Sequence, residues 1–207
     1  HWSYENFMYA KDKGFIQGDQ YGNLNPDKAI TRAEFATTIV KAMKLQLPVT
    51  TVEERTIKSI KSFNDVAVND WFYNEVSIAT YYNLIKGDEF GNFNPSDLIT
   101  REEMAVMLNR AVQHLQYDSI KFALTFTDNA KISSWAYEDI QYILSNGLMT
   151  GLPNGSFGPQ FSASRAEAVT VVRRLLEVDP ENPIKAGSTE VTIEYVFGAG
   201  CNSLPMV

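Results

Sequence analysis

The sequence predicts a mainly α chain of three tandem helix-loop-helix repeats packed into one body, followed by a C-terminal β-strand tail. Three observations carry this expectation. Shifting the chain by 69 residues lays Trp2 on Trp71, Gly18 on Gly87, Pro26 on Pro95 and Arg32 on Arg101 without a gap. A further shift of 64 lays those residues on Trp135, Gly151, Pro159 and Arg165. Self-similarity at such a period marks a repeat architecture. Within each repeat the apolar residues recur at helical spacing, and each second helix opens on the same capping signal. A helix pair this short cannot bury its apolar face alone, so the units must pack on one another.

The elements follow in chain order. Phe7, Ala10 and Phe15 mark the first helix of the first repeat; Val76, Ala79 and Leu84 match them in the second, and Ile140, Ile143 and Leu148 in the third. Spacings of three to five residues leave a single buried stripe on an amphipathic helix. Gly14 and Gly147 suit helix C-terminal caps, with Asn83 as the middle repeat's substitute. The loops Gly18–Pro26, Gly87–Pro95 and Gly151–Pro159 are rich in Gly and Asn, which supply positive φ, and each ends on a Pro that fixes its exit. Leu24, Phe93 and Phe157 plug these loops into the core. The second helices then bury Phe35 and Ile39, Met104 and Leu108, and Val171 and Leu175.

The repeats are expected at residues 1–45, 63–117 and 118–178, with a connector at 46–62 and a linker and strand tail at 179–207. Thr51-Val52-Glu53-Glu54 signals a short helix in the connector. Phe63-Asn64-Asp65 and Phe126-Thr127-Asp128 lead the second and third repeats. No such triplet precedes Trp2, which suggests that the first repeat lacks its leading edge. The chain opens at His1 without a Met and so reads as a processed or cut chain. Val191, Ile193, Tyr195 and Phe197 alternate as a β-strand does, and a lone strand must pair with something, whether a further domain, the repeat body or another copy.

Composition narrows the function classes. A hydrophobic content of 44% with 21% charged residues is ordinary for a folded globular chain. The net charge of −7 argues against a nucleic-acid partner. One cysteine, Cys201, and two histidines, His1 and His114, leave no disulfide framework, no Cys-based zinc site and no His-dependent triad or metal cluster. No apolar run reaches the roughly 20 residues of a membrane span. The Asp19 and Asp88 loops lack the alternating acids of an EF-hand, and no pair of carboxylates stands out for glycoside hydrolysis. Neither a metal, a cofactor nor catalysis is expected.

The candidate chemistry lies in the helix starts. Thr31-Arg32-Ala33-Glu34, Thr100-Arg101-Glu102-Glu103 and Ser164-Arg165-Ala166-Glu167 each contain a capping box, which explains the hydroxyl and the Glu. It does not explain Arg32, Arg101 and Arg165, because a cation in the first turn opposes the helix dipole by about 0.3–1 kcal/mol. Beside helix N–H groups a guanidinium can receive a carboxylate or phosphate. Alternatively it stacks on an aromatic ring or pairs with an acid of the next repeat. Trp2, Trp71 and Trp135 are either staples at a helix entrance or platforms for sugar rings. Asp65 and Asp128 read as cap and turn residues more than as ligands.

Taken together, Phe63-Asn64-Asp65, Trp71, Leu84-Ile85-Lys86-Gly87, Phe93-Asn94-Pro95 and Ile99-Thr100-Arg101-Glu102-Glu103 resemble the S-layer homology (SLH) repeat. The resemblance covers about residues 1–177, in three copies. It implies a pseudo-threefold helical prism in a secreted bacterial cell-surface protein. Such a prism anchors that protein non-covalently to a secondary cell-wall polysaccharide associated with peptidoglycan, through pyruvylated N-acetylmannosamine. Arg32, Arg101 and Arg165 would hold the pyruvate carboxylate in grooves between repeats. Trp2, Trp71, Trp135, Gly18, Gly87, Gly151, Asp65 and Asp128 would form the groove walls. Further copies of the chain, in a surface lattice or filament assembled through the tail strand, are the alternative partner.

Overall fold

The computed structural model describes residues 1–47, 63–113 and 123–177, and within them six α-helices alternate in role. They are α1 (Tyr4–Asp12), α2 (Arg32–Ala42), α3 (Tyr73–Tyr81), α4 (Arg101–Gln113), α5 (Tyr137–Ser145) and α6 (Arg165–Glu177), with a 3-10 turn at Asn129–Lys131 before α5. The expected connector helix at Thr51–Glu54 and the tail strand at Thr189–Phe197 lie outside the described residues. Among the described residues β pairing is confined to three isolated antiparallel bridges, Ala29 with Ser164, Thr31 with Leu98 and Thr100 with Ser162.

The odd-numbered helices end earlier than the apolar spacing suggests. Phe15, Leu84 and Leu148 lie just past α1, α3 and α5 rather than on them, yet all three are buried. The reason is a Schellman closure at each end. In the first repeat Gly14, at φ 77°, donates to Lys11 O, and Phe15 N–H turns back to Ala10 O at 3.0 Å. Asn83 (φ 56°) and Gly147 (φ 65°) repeat this turn, which folds the following apolar residue under its own helix.

The loops do take positive φ from Gly and Asn, but the first glycine of each loop has another reason. Gly18, Gly87 and Gly151 are not in the positive-φ region; Gly22, Gly91, Gly155, Asn25 and Asn94 supply that conformation. At Gly87 a Cβ would stand 2.5 Å from the Asn92 carbonyl oxygen and 2.7 Å from the Phe63 ring, and at Gly151 2.5 Å from Phe126. These positions are glycine because an aromatic ring and a backbone turn press on them. The same rings stack on the loop plugs, Phe63 on Phe93 at 5.4 Å and Phe126 against Phe157 at 5.5 Å.

The longer helices open on capping boxes. Thr31 Oγ1 accepts from Glu34 N–H while the Glu34 carboxylate accepts from Thr31 N–H, and Thr100 with Glu103 and Ser164 with Glu167 do the same. The first helical N–H groups are satisfied from a neighbouring repeat. Arg32 N and Ala33 N donate to Asp97 O and Pro95 O, Arg101 N and Glu102 N to Phe161 O and Pro159 O, and Arg165 N and Ala166 N to Lys28 O and Pro26 O. Each helix start is therefore capped by the loop of the next repeat, and the third is capped by the first.

Packing follows the same cycle. α2 packs on α3, α4 on α5 and α6 on α1, while α2, α4 and α6 also touch one another at the centre. The result is the pseudo-threefold prism implied by the resemblance, with one continuous core running through Phe35, Met104, Leu108, Ile140, Val169 and Val172. At the α4–α5 junction Asn109 donates to Asp139, whose carboxyl is pushed above its ordinary 3.8, chiefly by burial.

Two outcomes follow. Gly87→Ala should cost about 1–3 kcal/mol of unfolding free energy, read by denaturant titration, because its methyl meets backbone that cannot retreat. Asp139 binds its proton more tightly folded than unfolded, so its contribution is greatest at pH below 3.8 and declines as pH rises through the raised value. Asp139→Asn should therefore gain thermal stability over the parent near pH 7, with the gain shrinking as pH falls through that interval.

Candidate functional site

The three motif arginines sit where consecutive repeats meet, and all three do the same structural work. Arg32 donates through Nε to Phe93 O at 2.9 Å, pairs with Glu103 through Nη1, and lays its guanidinium 5.0 Å from the Phe93 ring centre. Arg101 donates through Nε to Phe157 O at 2.8 Å and through Nη2 to Thr150 O at 2.8 Å, pairs with Glu167, and covers the Phe157 ring. Arg165 donates to Leu24 O at 3.0 Å and Gln17 O at 2.8 Å, with Glu34 at 3.9 Å. Each guanidinium clasps the plug of the next repeat, and those of Arg101 and Arg165 also clasp its turn.

This corrects the reading that folding leaves the arginines unexplained. At Arg32 and Arg101 both alternatives hold together, the stacked aromatic and the acid of the next repeat, while Arg165 has the acid alone. Each capping Glu is also shared, one oxygen closing its own helix and the other taking the neighbour's arginine. Nor are helix N–H groups spare for an anion, since loop carbonyls already occupy them. Arg101 is the most enclosed, at 5% exposure, and burial lowers its pKa although Glu167 opposes the shift.

Beside two of these clasps lie open grooves, each drawing on all three repeats. The larger holds about 630 Å³ and is bounded by Arg32 of the first repeat, Lys86, Gly87, Val106, Met107 and Arg110 of the second, and Trp135 of the third. The smaller holds about 270 Å³, with Arg165 of the third repeat, Gly18, Lys28, Thr37, Thr38 and Lys41 of the first, and Trp71 of the second. Small-molecule sites span about 300–1,000 Å³, so the larger groove falls within that range and the smaller one just below it. Trp71 and Trp135 are 64% and 57% exposed, an open indole face on each groove wall.

The acids in the grooves are largely occupied. Asp19 accepts from Asn23, Tyr21 and Asn25 and is held at about 2, the Asn25 amide being the largest cause. Asp88 repeats this turn and is also lowered, mainly by the Asn92 N–H. Asp65 and Asp128 line neither groove. Asp65 receives Phe93 N–H and Asn94 N–H at 2.8 and 2.7 Å, and Asp128 receives Phe157 N–H and Gly158 N–H, so both pin loop exits. Trp2 is 65% exposed, but Trp2, Arg101 and Gly151 line neither of these grooves.

A second recurring cation escaped the sequence reading. Lys41, Arg110 and Arg174 fall at one register of the longer helices, under the same shifts that align the motif arginines. Arg110 reaches Leu84 O and Arg174 reaches Leu148 O, while Lys41 stands 3.7 Å from Glu75. The signal was available, but a basic residue in a last helical turn also suits the helix dipole and so drew no notice. Among the described residues no cluster of His, Cys, Asp and Glu is placed to hold a metal, and no helix is long and apolar enough to cross a membrane.

Comparison with known proteins adds an independent line. Residues 1–36, 62–105 and 125–169, more than half of the chain, match the model of the S-layer homology domain. The chain is 32% identical over 178 residues to an amylopullulanase of Thermoanaerobacterium thermosulfurigenes, a span covering 85% of this chain and 9% of that protein. It is 29% identical over 187 residues to a cellulosome-anchoring protein of Acetivibrio thermocellus, covering 87% of this chain and 39% of that protein. It is 27% identical over 192 residues to the surface-layer 125 kDa protein of Lysinibacillus sphaericus, covering 88% of this chain and 15% of that protein. The chain thus spans well under half the length of each of these relatives.

The clasp makes a stability prediction. Arg101→Met strands Glu167 and three inter-repeat contacts, and should cost about 3–5 kcal/mol in chemical denaturation. Combining it with Glu167→Gln should cost less than the two single changes added together.

Proposed function

The chain belongs to the S-layer homology family, and we propose that it anchors a secreted protein to the bacterial cell wall. The ligand is an acidic, pyruvylated secondary cell-wall polysaccharide bound in the two grooves, and the role is binding without catalysis. One observation carries the reading. Each groove sets an exposed Trp face opposite three cations: Trp135 with Arg32, Lys86 and Arg110, and Trp71 with Arg165, Lys28 and Lys41.

The chemistry suits a carboxylated sugar. A pyranose presents C–H bonds to an indole face on one side and hydroxyls on its rim. Its carboxylate needs local cations, because a chain of net charge −7 attracts no anion from a distance. Gly87 and Gly18 present bare backbone to the groove walls. The arginines act at two levels: Arg32 and Arg165 border the grooves and hold the repeats that form them, while Arg101 serves the clasp. The names of two relatives, an anchoring protein and a surface-layer protein, support the anchoring role.

The test is co-sedimentation with cell-wall sacculi. Wild-type chain should pellet with intact sacculi and stay in solution once the secondary polymer has been removed chemically. Trp71→Ala combined with Trp135→Ala should abolish pelleting while leaving the thermal transition in place, since both indoles are more than half exposed. Pelleting that persists on stripped sacculi, or in the double variant, overturns the proposal.

A further inference from the structure

Within the larger groove the motif arginine is a poor receptor for an incoming acid. Arg32 already spends Nε on Phe93 O, Nη1 on Glu103 and its planar face on the Phe93 ring, so neither two-nitrogen edge of its fork is fully open. Arg110 is in the opposite condition. It borders the same groove, and its one hydrogen bond among the described residues runs from Nη1 to Leu84 O at a long 3.5 Å. No carboxylate among the described residues comes within 4.0 Å of it. Among the described residues the edge formed by Nε and Nη2 is thus uncommitted, and that edge matches a carboxylate bidentately.

The surroundings reinforce this. Burial disfavours the charged form of Arg110, and so does the like charge of Arg32, while Asp139 opposes both. Asp139 is nevertheless held by the Asn109 amide instead of pairing with Arg110. Of the groove's acids, Glu103 is taken by Arg32 and Asp88 by its own turn, leaving Asp97 exposed at the rim. Lys86 lines the same wall and also has no acid within 4.0 Å among the described residues. Beneath lie Val106 and Met107, where the smaller groove has Thr37 and Thr38, so this part of the larger groove's floor is apolar. A desolvated ion pair is stronger than a wet one.

We propose that Arg110, assisted by Lys86, is the residue that receives the carboxylate of an acidic sugar in the larger groove, and that Arg32 is a positioning residue there. This rests on the anchoring function proposed above and names the recognising group within it. The equivalent Lys41 of the smaller groove, paired with Glu75, makes that groove the weaker site.

The test titrates the full chain with the methyl glycoside of pyruvylated N-acetylmannosamine, following the Trp135 indole N–H resonance by NMR and the thermal midpoint in parallel. Arg110→Gln should weaken the Trp135-reported affinity roughly ten- to a hundredfold. Its midpoint should hold, and Arg110→Lys should restore part of the binding. Arg32→Gln should lower the midpoint. Wild-type affinity in Arg110→Gln, or a folded Arg32→Gln that alone loses binding, overturns the assignment. A wild-type chain that pellets with sacculi yet leaves the Trp135 resonance unmoved overturns it too while sparing the anchoring role. Failure to pellet overturns both.

Discussion

The inter-repeat clasp is the interaction on which the molecule depends. A helix pair of nine and about a dozen residues cannot bury its apolar face by itself, so each repeat exists only as part of the ring. The clasp sets the geometry of that ring. One guanidinium bonds the carbonyl of the next repeat's plug residue, pairs with its capping Glu, and in two cases covers its Phe. Desolvating an arginine costs several kcal/mol, and pairing with one carboxylate roughly offsets this. The surplus comes from the hydrogen bonds to carbonyl oxygens and the aromatic face, each worth on the order of 1 kcal/mol or more. What the clasp adds beyond stability is register, because planar donors accept one alignment of neighbouring repeats and few others.

The grooves are a consequence of closing the ring this way. Bringing the start of one longer helix onto the turn of the next repeat leaves a cleft, and the following repeat's Trp forms its far wall. No single repeat contains a site. Gly87 therefore answers to two demands, admitting the Phe63 ring behind it and presenting bare backbone to the larger groove. Threefold repetition also does not make the grooves alike. Val106 and Met107 against Thr37 and Thr38, and an Arg110 with no acid partner among the described residues against a Lys41 paired with Glu75, separate two clefts of common design.

Much of the fold was legible in the sequence, and particular elements show why. Gly14, Asn83 and Gly147 announced helix ends because left-handed backbone restricts which residues can sit there. The capping boxes were readable because hydroxyl and Glu lie three positions apart on one turn. The site was less legible. Arg32, Arg101 and Arg165 stood out correctly as more than caps, but their partners lie as far as 148 positions away, where spacing says nothing. Arg110 gives no signal of its own, because whether a carboxylate faces it depends on residues distant in sequence.

The sequence by itself determined the repeat, its helices, its loop plugs and the family, since these rest on contacts within a turn or two of helix and on residues that recur in register. Only the tertiary structure decided which charges are used and which remain. A guanidinium is neutralised by whichever carboxylate faces it across a repeat junction, and that pairing depends on how the ring closes.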